Sequence, residues 1–217
     1  LAVFVLIERR SHAPLVRLGI FRVRSLAAAD GALLLLASAM FGMFFFASLY
    51  VQDVLHYSPL RAGFAFLPAT AGIIIGSGLS QQLIKRFGPR AVAVAGFALA
   101  AVGMLLLTGV SVHGSYASDL LSGLLPLSIG IGLTFVPITL LATGGVDSDD
   151  AGLASGLFNT SQQVGGSLGL ALMSTFAASR TTSLLHGGIG AAAARVSGYQ
   201  LAFTIAAGML VAGGDRE

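Results

Sequence analysis

Long apolar blocks, each about a membrane thick and separated by short polar connections, constrain this chain more than anything else in it. Residues 27–50, 60–84, 91–110, 120–143 and 153–178 are each long enough to cross a bilayer. A hydrocarbon core of about 30 Å needs roughly 20 apolar residues in a helix. Lipid offers no partner to backbone amides, so such blocks must be helical. Only 10% of the residues are charged, which leaves too little polar surface to cover a soluble protein. The blocks predict an all-α membrane protein.

The ends of the sequence read as parts of something larger. Leu1–Ile7 resembles the tail of a helix, and there is no initiator Met or signal-peptide pattern. The stretch 199–212 is apolar but falls short of a full span, and Gly213, Gly214, Asp215, Arg216 and Glu217 close the chain abruptly. Residues 1–25 therefore read as the end of one helix and its connection, and 26–217 as one transmembrane bundle. Within the connection, Pro14–Leu26 alternates Leu15, Leu18, Ile20 and Phe21 with Arg17, Arg22 and Arg24, which suits a short interfacial helix.

Basic residues set the orientation. Arg9, Arg10, Arg17, Arg22 and Arg24 precede the first full block; Lys85, Arg86 and Arg90 lie between the second and third. The opposite side carries only Arg61, Arg180 and Arg195. Both basic connections, and the C-terminus, are expected in the cytoplasm. The fourth and fifth blocks are joined by Asp147, Asp149 and Asp150. These carboxylates can cap the following helix, or they can pair with Lys85, Arg86 and Arg90 as a cytoplasmic gate.

The fifth block carries the most information. Gly152, Gly156, Asn159, Gln163 and Gly166 follow spacings of four, three, four and three, which puts them on one helical face. Small residues such as Gly152, Gly156, Gly165 and Gly166 allow close helix packing, and the amides need a partner or water. Asn159 and Gln163 are expected to face the bundle interior, either bonded to neighbouring helices or bordering a substrate cavity. Leu153, Leu157, Val164 and Leu168 would then face lipid. Pro126 and Pro137 bend the fourth block, and bent helices often line cavities that open and close. Phe44 and Phe45 belong to an aromatic cluster with Phe41, Phe46 and Tyr50, which is either packing or an apolar binding wall. Asp30 and Asp119 lie near helix starts, where capping or headgroup contact is the ordinary role.

Several chemistries are disfavoured. The sequence contains no cysteine, which excludes disulfides and thiolate metal sites. His12, His56, His113 and His186 all fall in connections, so no convergent set points to an intramembrane enzyme. No cofactor, metal or nucleic-acid partner is expected. Eleven of the twelve basic residues are arginine, Lys85 being the exception, which suggests a GC-rich bacterial source.

The connection LIKRFGPR resembles the cytoplasmic loop motif of the major facilitator superfamily, roughly G-x-L-x-D-R-x-G-R-R. Arg86, Gly88 and Arg90 match, while Gln81, Lys85 and Pro89 depart from it. APLVRLGIFRVRSL, LYVQDVLHYSPLRAGFAFLP and AGLASGLFNTSQQVGGSLGLA extend the likeness. Across residues 1–212 the chain is similar to the C-terminal half of the fourteen-helix drug/proton antiporters of that superfamily. The resemblance implies a six-helix bundle whose first, second, fourth and fifth helices approach a cavity, with 91–110 and 199–212 outside. It implies a multi-pass cell-membrane transporter that exchanges small amphipathic drugs or natural products for protons, surrounded by lipid and completed by an N-terminal bundle. The proton-coupling carboxylate that the family carries in that first bundle is not in this sequence. A non-transporting membrane fragment or accessory subunit is the alternative.

Overall fold

The computed structural model describes residues 24–143 and 151–215, all of whose regular structure is helical. The readings placed on Leu1–Ile7, on the interfacial segment before Arg24, on His12 and on Asp147, Asp149 and Asp150 lie outside the described residues.

The first helix, α1, spans Arg24–Leu49 and continues as a wide π-helical turn, Tyr50–Val54. A short helix, α2 (Pro59–Ala65), capped by the Ser58 hydroxyl, is followed by the 21-residue α3 (Leu67–Phe87). The break at Phe66 has a covalent cause. Pro68 has no amide to donate back into the preceding turn, and the Phe66 amide closes that turn onto the Gly63 carbonyl instead. The α3–α4 junction turns on Gly88, whose φ of +81° suits glycine. Pro89 then starts α4 (Pro89–Leu107), where its missing amide costs nothing.

A second π-helical turn, Tyr116–Leu121, leads into α5 (Ser122–Thr143), which contains both prolines. The last helices are α6 (Ala151–His186) and α7 (Ala191–Gly214). Among the described residues five spans are long and apolar enough to cross a membrane: Ala28–Val54, Pro59–Phe87, Pro89–Leu107, Tyr116–Ala142 and Ala191–Gly214. Two expectations change here. The final apolar stretch is no short remnant, because its helix starts at Ala191 and runs for 24 residues. Conversely α6, with 36 residues, is long enough but not apolar enough to be among the five. Its run Asn159, Thr160, Ser161, Gln162 and Gln163, with Arg180 and the serines and threonines of its second half, is the reason.

Two packing groups build the bundle. In one, α5 is gripped between α3 and α4. Methyl groups at Gly96 or Gly130 would collide across the α4–α5 contact, and at Gly76 or Gly132 across α3–α5. Ser80 adds a hydrogen bond of 2.9 Å to the Leu133 carbonyl. In the other, α1 packs on α6 and α7. Leu34, Ser38 and Gly42 meet Gly165, Gly169 and Met173 in the same order, so α1 and α6 run parallel. Phe46 sits between Tyr199 and Phe203 of α7, with ring centroids 5.8 and 6.5 Å apart. Contacts of α1 with α5, and of α4 with α7, join the two groups.

Candidate functional site: a polar and aromatic flank of α6 and α1

The face of α6 buried in the bundle is Ala154, Gly165, Gly166, Gly169, Met173 and Ala177. The stripe of Gly152, Gly156, Asn159 and Gln163 lies on the other side and is exposed. This corrects the expectation that the amides bond to neighbouring helices of this bundle. Asn159 donates to Ser155 of its own helix at 3.0 Å. Gln163 makes no hydrogen bond to any described residue. Gly152 and Gly156 are likewise not helix-packing residues among the described helices, since a methyl on either would meet nothing within 4 Å. Gly165 is one: its position is filled by the Leu34 backbone. Gly166 is buried too, packed under Phe41 of α1: a methyl on it would lie 3.0 Å from that ring. Leu153 and Leu157 are half-buried against the core, while Val164 and Leu168 are exposed as expected of outward-facing residues.

Continuing the stripe at helical spacing leads from Asn159 and Gln163 through Gly166 and Leu170 to Ser174. That flank runs beside α1, where Phe41 and Phe45 are 43% and 41% exposed while Phe46 and Tyr50 are buried. Phe44 turns the other way and is half-buried, its ring 5.6 Å from Phe66. At the far end the flank opens into a groove of about 340 Å³. Phe45, Phe46 and Leu49 form one wall, with Ser174, Thr181 and Thr182 of α6 opposite. Amides, exposed rings and hydroxyls thus follow one another along a single surface. Such a surface can hold a molecule with both apolar and polar parts.

The groove was missed in the sequence because two of its hydroxyl residues, Thr181 and Thr182, sit beyond the apolar block, in the last turns of an unusually long helix. The signal was present as Ser174, Ala178 and Thr181 at helical spacing. Of the two prolines, Pro137 is buried and Pro126 half-buried, and they flank the glycines at which α5 crosses α3 and α4.

Lys85 and Arg86 occupy the last turn of α3, where positive charge complements the helix dipole. Arg86 also stands over the Phe87 ring, 5.2 Å from its centroid. Arg90 is exposed on the first turn of α4. Their three candidate aspartate partners lie outside the described residues.

The opposite end of the bundle is tied by polar contacts. Tyr50 donates to the Ser111 carbonyl at 2.9 Å and lies 3.3 Å from Asp119. Asp119 also accepts from the Ser111 amide and hydroxyl, each at 3.0 Å, and from Ser118. Tyr199 donates to Asp53 at 3.2 Å, and Gln200 to the Val110 carbonyl at 2.8 Å. Asp119 is therefore an acceptor hub. Asp30 is neither cap nor headgroup contact: it lies six residues into α1 and is 8% exposed.

The family model described as Major Facilitator Superfamily matches residues 5–170. The chain belongs to the major facilitator superfamily. Among curated members, the puromycin resistance protein pur8 of Streptomyces alboniger is 37% identical, with 97% of this chain and 43% of that protein aligned. The cephamycin export protein CmcT of Amycolatopsis lactamdurans is 34% identical, over 84% of this chain and 38% of that protein. The uncharacterized MFS-type transporter EfpA of Mycobacterium tuberculosis is 37% identical, over 83% and 34%. The chain thus spans less than half the length of each. Like these superfamily members, it is a multi-pass membrane protein of bacterial type, and its relatives are transporters.

Proposed function

We propose that this chain forms the C-terminal bundle of a proton-driven exporter of amphipathic drugs or natural products. The observation that carries the reading is the exposed flank of Asn159, Gln163, Phe41 and Phe45 leading into the Ser174–Thr182 groove. A polar stripe on a membrane helix is costly against lipid and belongs against a cavity or another protein element. An N-terminal bundle of the same transporter would face it, closing a cavity between two halves. Small amphipathic substrate and protons would pass there, with lipid around the outside. The names of two relatives, which speak of puromycin resistance and cephamycin export, support natural products as the substrate class. Lys85, Arg86 and Arg90 would hold the cytoplasmic side shut in one state, against Asp147, Asp149 and Asp150 or against the other bundle.

The test is efflux by the intact transporter in an efflux-deficient bacterial host, using puromycin, a cephamycin, tetracenomycin C and ethidium as a panel. Export of at least one, abolished by an uncoupler, is expected. Gln163→Leu should alter the rate or the preference within the panel at least fivefold, while Leu168→Ala on the other flank should not. Failure to export any of the four, with the protein present in the membrane, would refute the reading.

A further inference from the structure

Asp30 stands apart from the other described carboxylates. Asp119 has four donor groups around it and Asp53 accepts from Tyr199, whereas Asp215 is exposed. Both oxygens of Asp30 are buried and have no hydrogen-bond partner among the described residues. Its surroundings on α1 are Ala29, Ala32, Leu33 and Leu36, all at most 2% exposed. The free amides of a helix belong to its first turn, and Asp30 is already past it.

The register locates the carboxyl in the bundle. Leu34 meets Gly165, so Asp30, one turn earlier on α1, lies at the level of Ser161 on the parallel α6. That level is flanked by Asn159 and Gln163 of the exposed stripe. Charged and titratable groups on every helix packed against α1 are remote from it or at helix ends. Helix α5 has none. Those of α6 are Arg180 and His186, which are 19 or more positions beyond Ser161 and so about 28 Å away or more along the axis. Those of α7 are Arg195 and Tyr199 at the opposite end, with Asp215 just past its last residue. On α1 and its π-helical extension they are Arg24 at the start and Tyr50 and Asp53 at the far end.

An uncompensated buried carboxylate is an incomplete arrangement, and a bound proton completes it. We propose that Asp30 is a proton-binding site of the exchange, placed inside the α1–α6 packing one helix thickness from the substrate flank. The inference rests on the exporter reading above and assigns its protons a residue. The step is a simple one: the carboxylate takes a proton from one side of the membrane to become the acid, and releases it to the other side after the bundle rearranges. Proximity to Asn159 and Gln163 couples the two events, because substrate on the stripe and charge at Asp30 act on the same stretch of α6.

The experiment compares wild type, Asp30→Asn and Asp30→Glu in the intact transporter. Infrared difference spectra of the reconstituted protein are recorded as pH is lowered. Efflux is measured in inverted vesicles with whichever panel compound the wild type moves best. A protonated-carboxyl band should appear in wild type, vanish in Asp30→Asn and return, shifted, in Asp30→Glu. Asp30→Asn should lose at least tenfold in gradient-driven efflux while still equilibrating the compound downhill, which also shows that it folds. An unchanged band in Asp30→Asn overturns the proposal. So does a wild type with no protonated band at any pH, as expected of a carboxylate held permanently by an arginine. Undiminished coupling in Asp30→Asn also overturns it. A wild type that moves no compound instead refutes the exporter reading, and the infrared band then still decides whether Asp30 binds a proton.

Discussion

Replacing Gly165 by alanine should separate α1 from α6, and the size of the effect follows from the packing. A methyl there would sit 2.8 Å from the Leu34 Cα and closer still to its carbonyl oxygen. Carbon atoms pack best at about 3.5–4.0 Å, so the helices must part by roughly 1 Å at this level. Backbone atoms cannot rotate away as a side chain can. Forcing extra methylenes into a tight contact costs about 1–3 kcal/mol. The Ser38 hydroxyl, 2.7 Å from the Gly165 carbonyl, would lose that bond, worth about 0.6 kcal/mol between membrane helices. Together these predict a loss of about 2–4 kcal/mol, which is roughly a thirtyfold to several-hundredfold change in the folded ratio. Gly156→Ala makes the same chemical change on the same helix, where a methyl meets nothing. Removing a helical glycine there should stabilise by about 0.5–1 kcal/mol. Unfolding of the purified transporter in mixed micelles, titrated with dodecyl sulfate and followed by circular dichroism, measures both. Equal midpoints for the two variants, or a Gly165→Ala midpoint at or above wild type, would refute the packing described here.

Three further outcomes are expected. A cysteine introduced at Ser148 should be labelled by an impermeant thiol reagent only from the cytoplasmic side; labelling from outside intact cells would invert the topology drawn from the arginines. Arg86→Ala should slow transport several-fold without reducing the amount in the membrane, and reversing Arg86 together with Asp150→Arg should restore part of the rate; normal transport by Arg86→Ala would remove the gate. Tyr50→Phe deletes the donor to Ser111 and the contact with Asp119, so it should cost about 1 kcal/mol on the scale of membrane hydrogen bonds and leave Gly165→Ala additive with it; a coupling above about 0.5 kcal/mol between the two would show that the bundle does not hold its ends independently.

Composition and spacing were enough to establish an all-α membrane bundle, because lipid leaves helices almost no competitor. Some local chemistry needed only neighbouring residues but was passed over: Pro68 splits the block read as 60–84, and Gly88 and Pro89 make the turn after α3, each acting through its own backbone. The spacing of Gly152, Gly156, Asn159 and Gln163 placed them on one face. Which way that face points was not in the sequence. Glycine and alanine, small enough to be packed, are also small enough to be left outside, and only the meeting of Gly165 and Gly169 with Leu34 and Ser38 turned the amides outward. Tertiary packing also buried Asp30, whose position near the start of an apolar block looked like that of a cap. A periodic pattern fixes which residues travel together on a helix; what they face depends on the rotation each helix takes when its smallest residues find a partner.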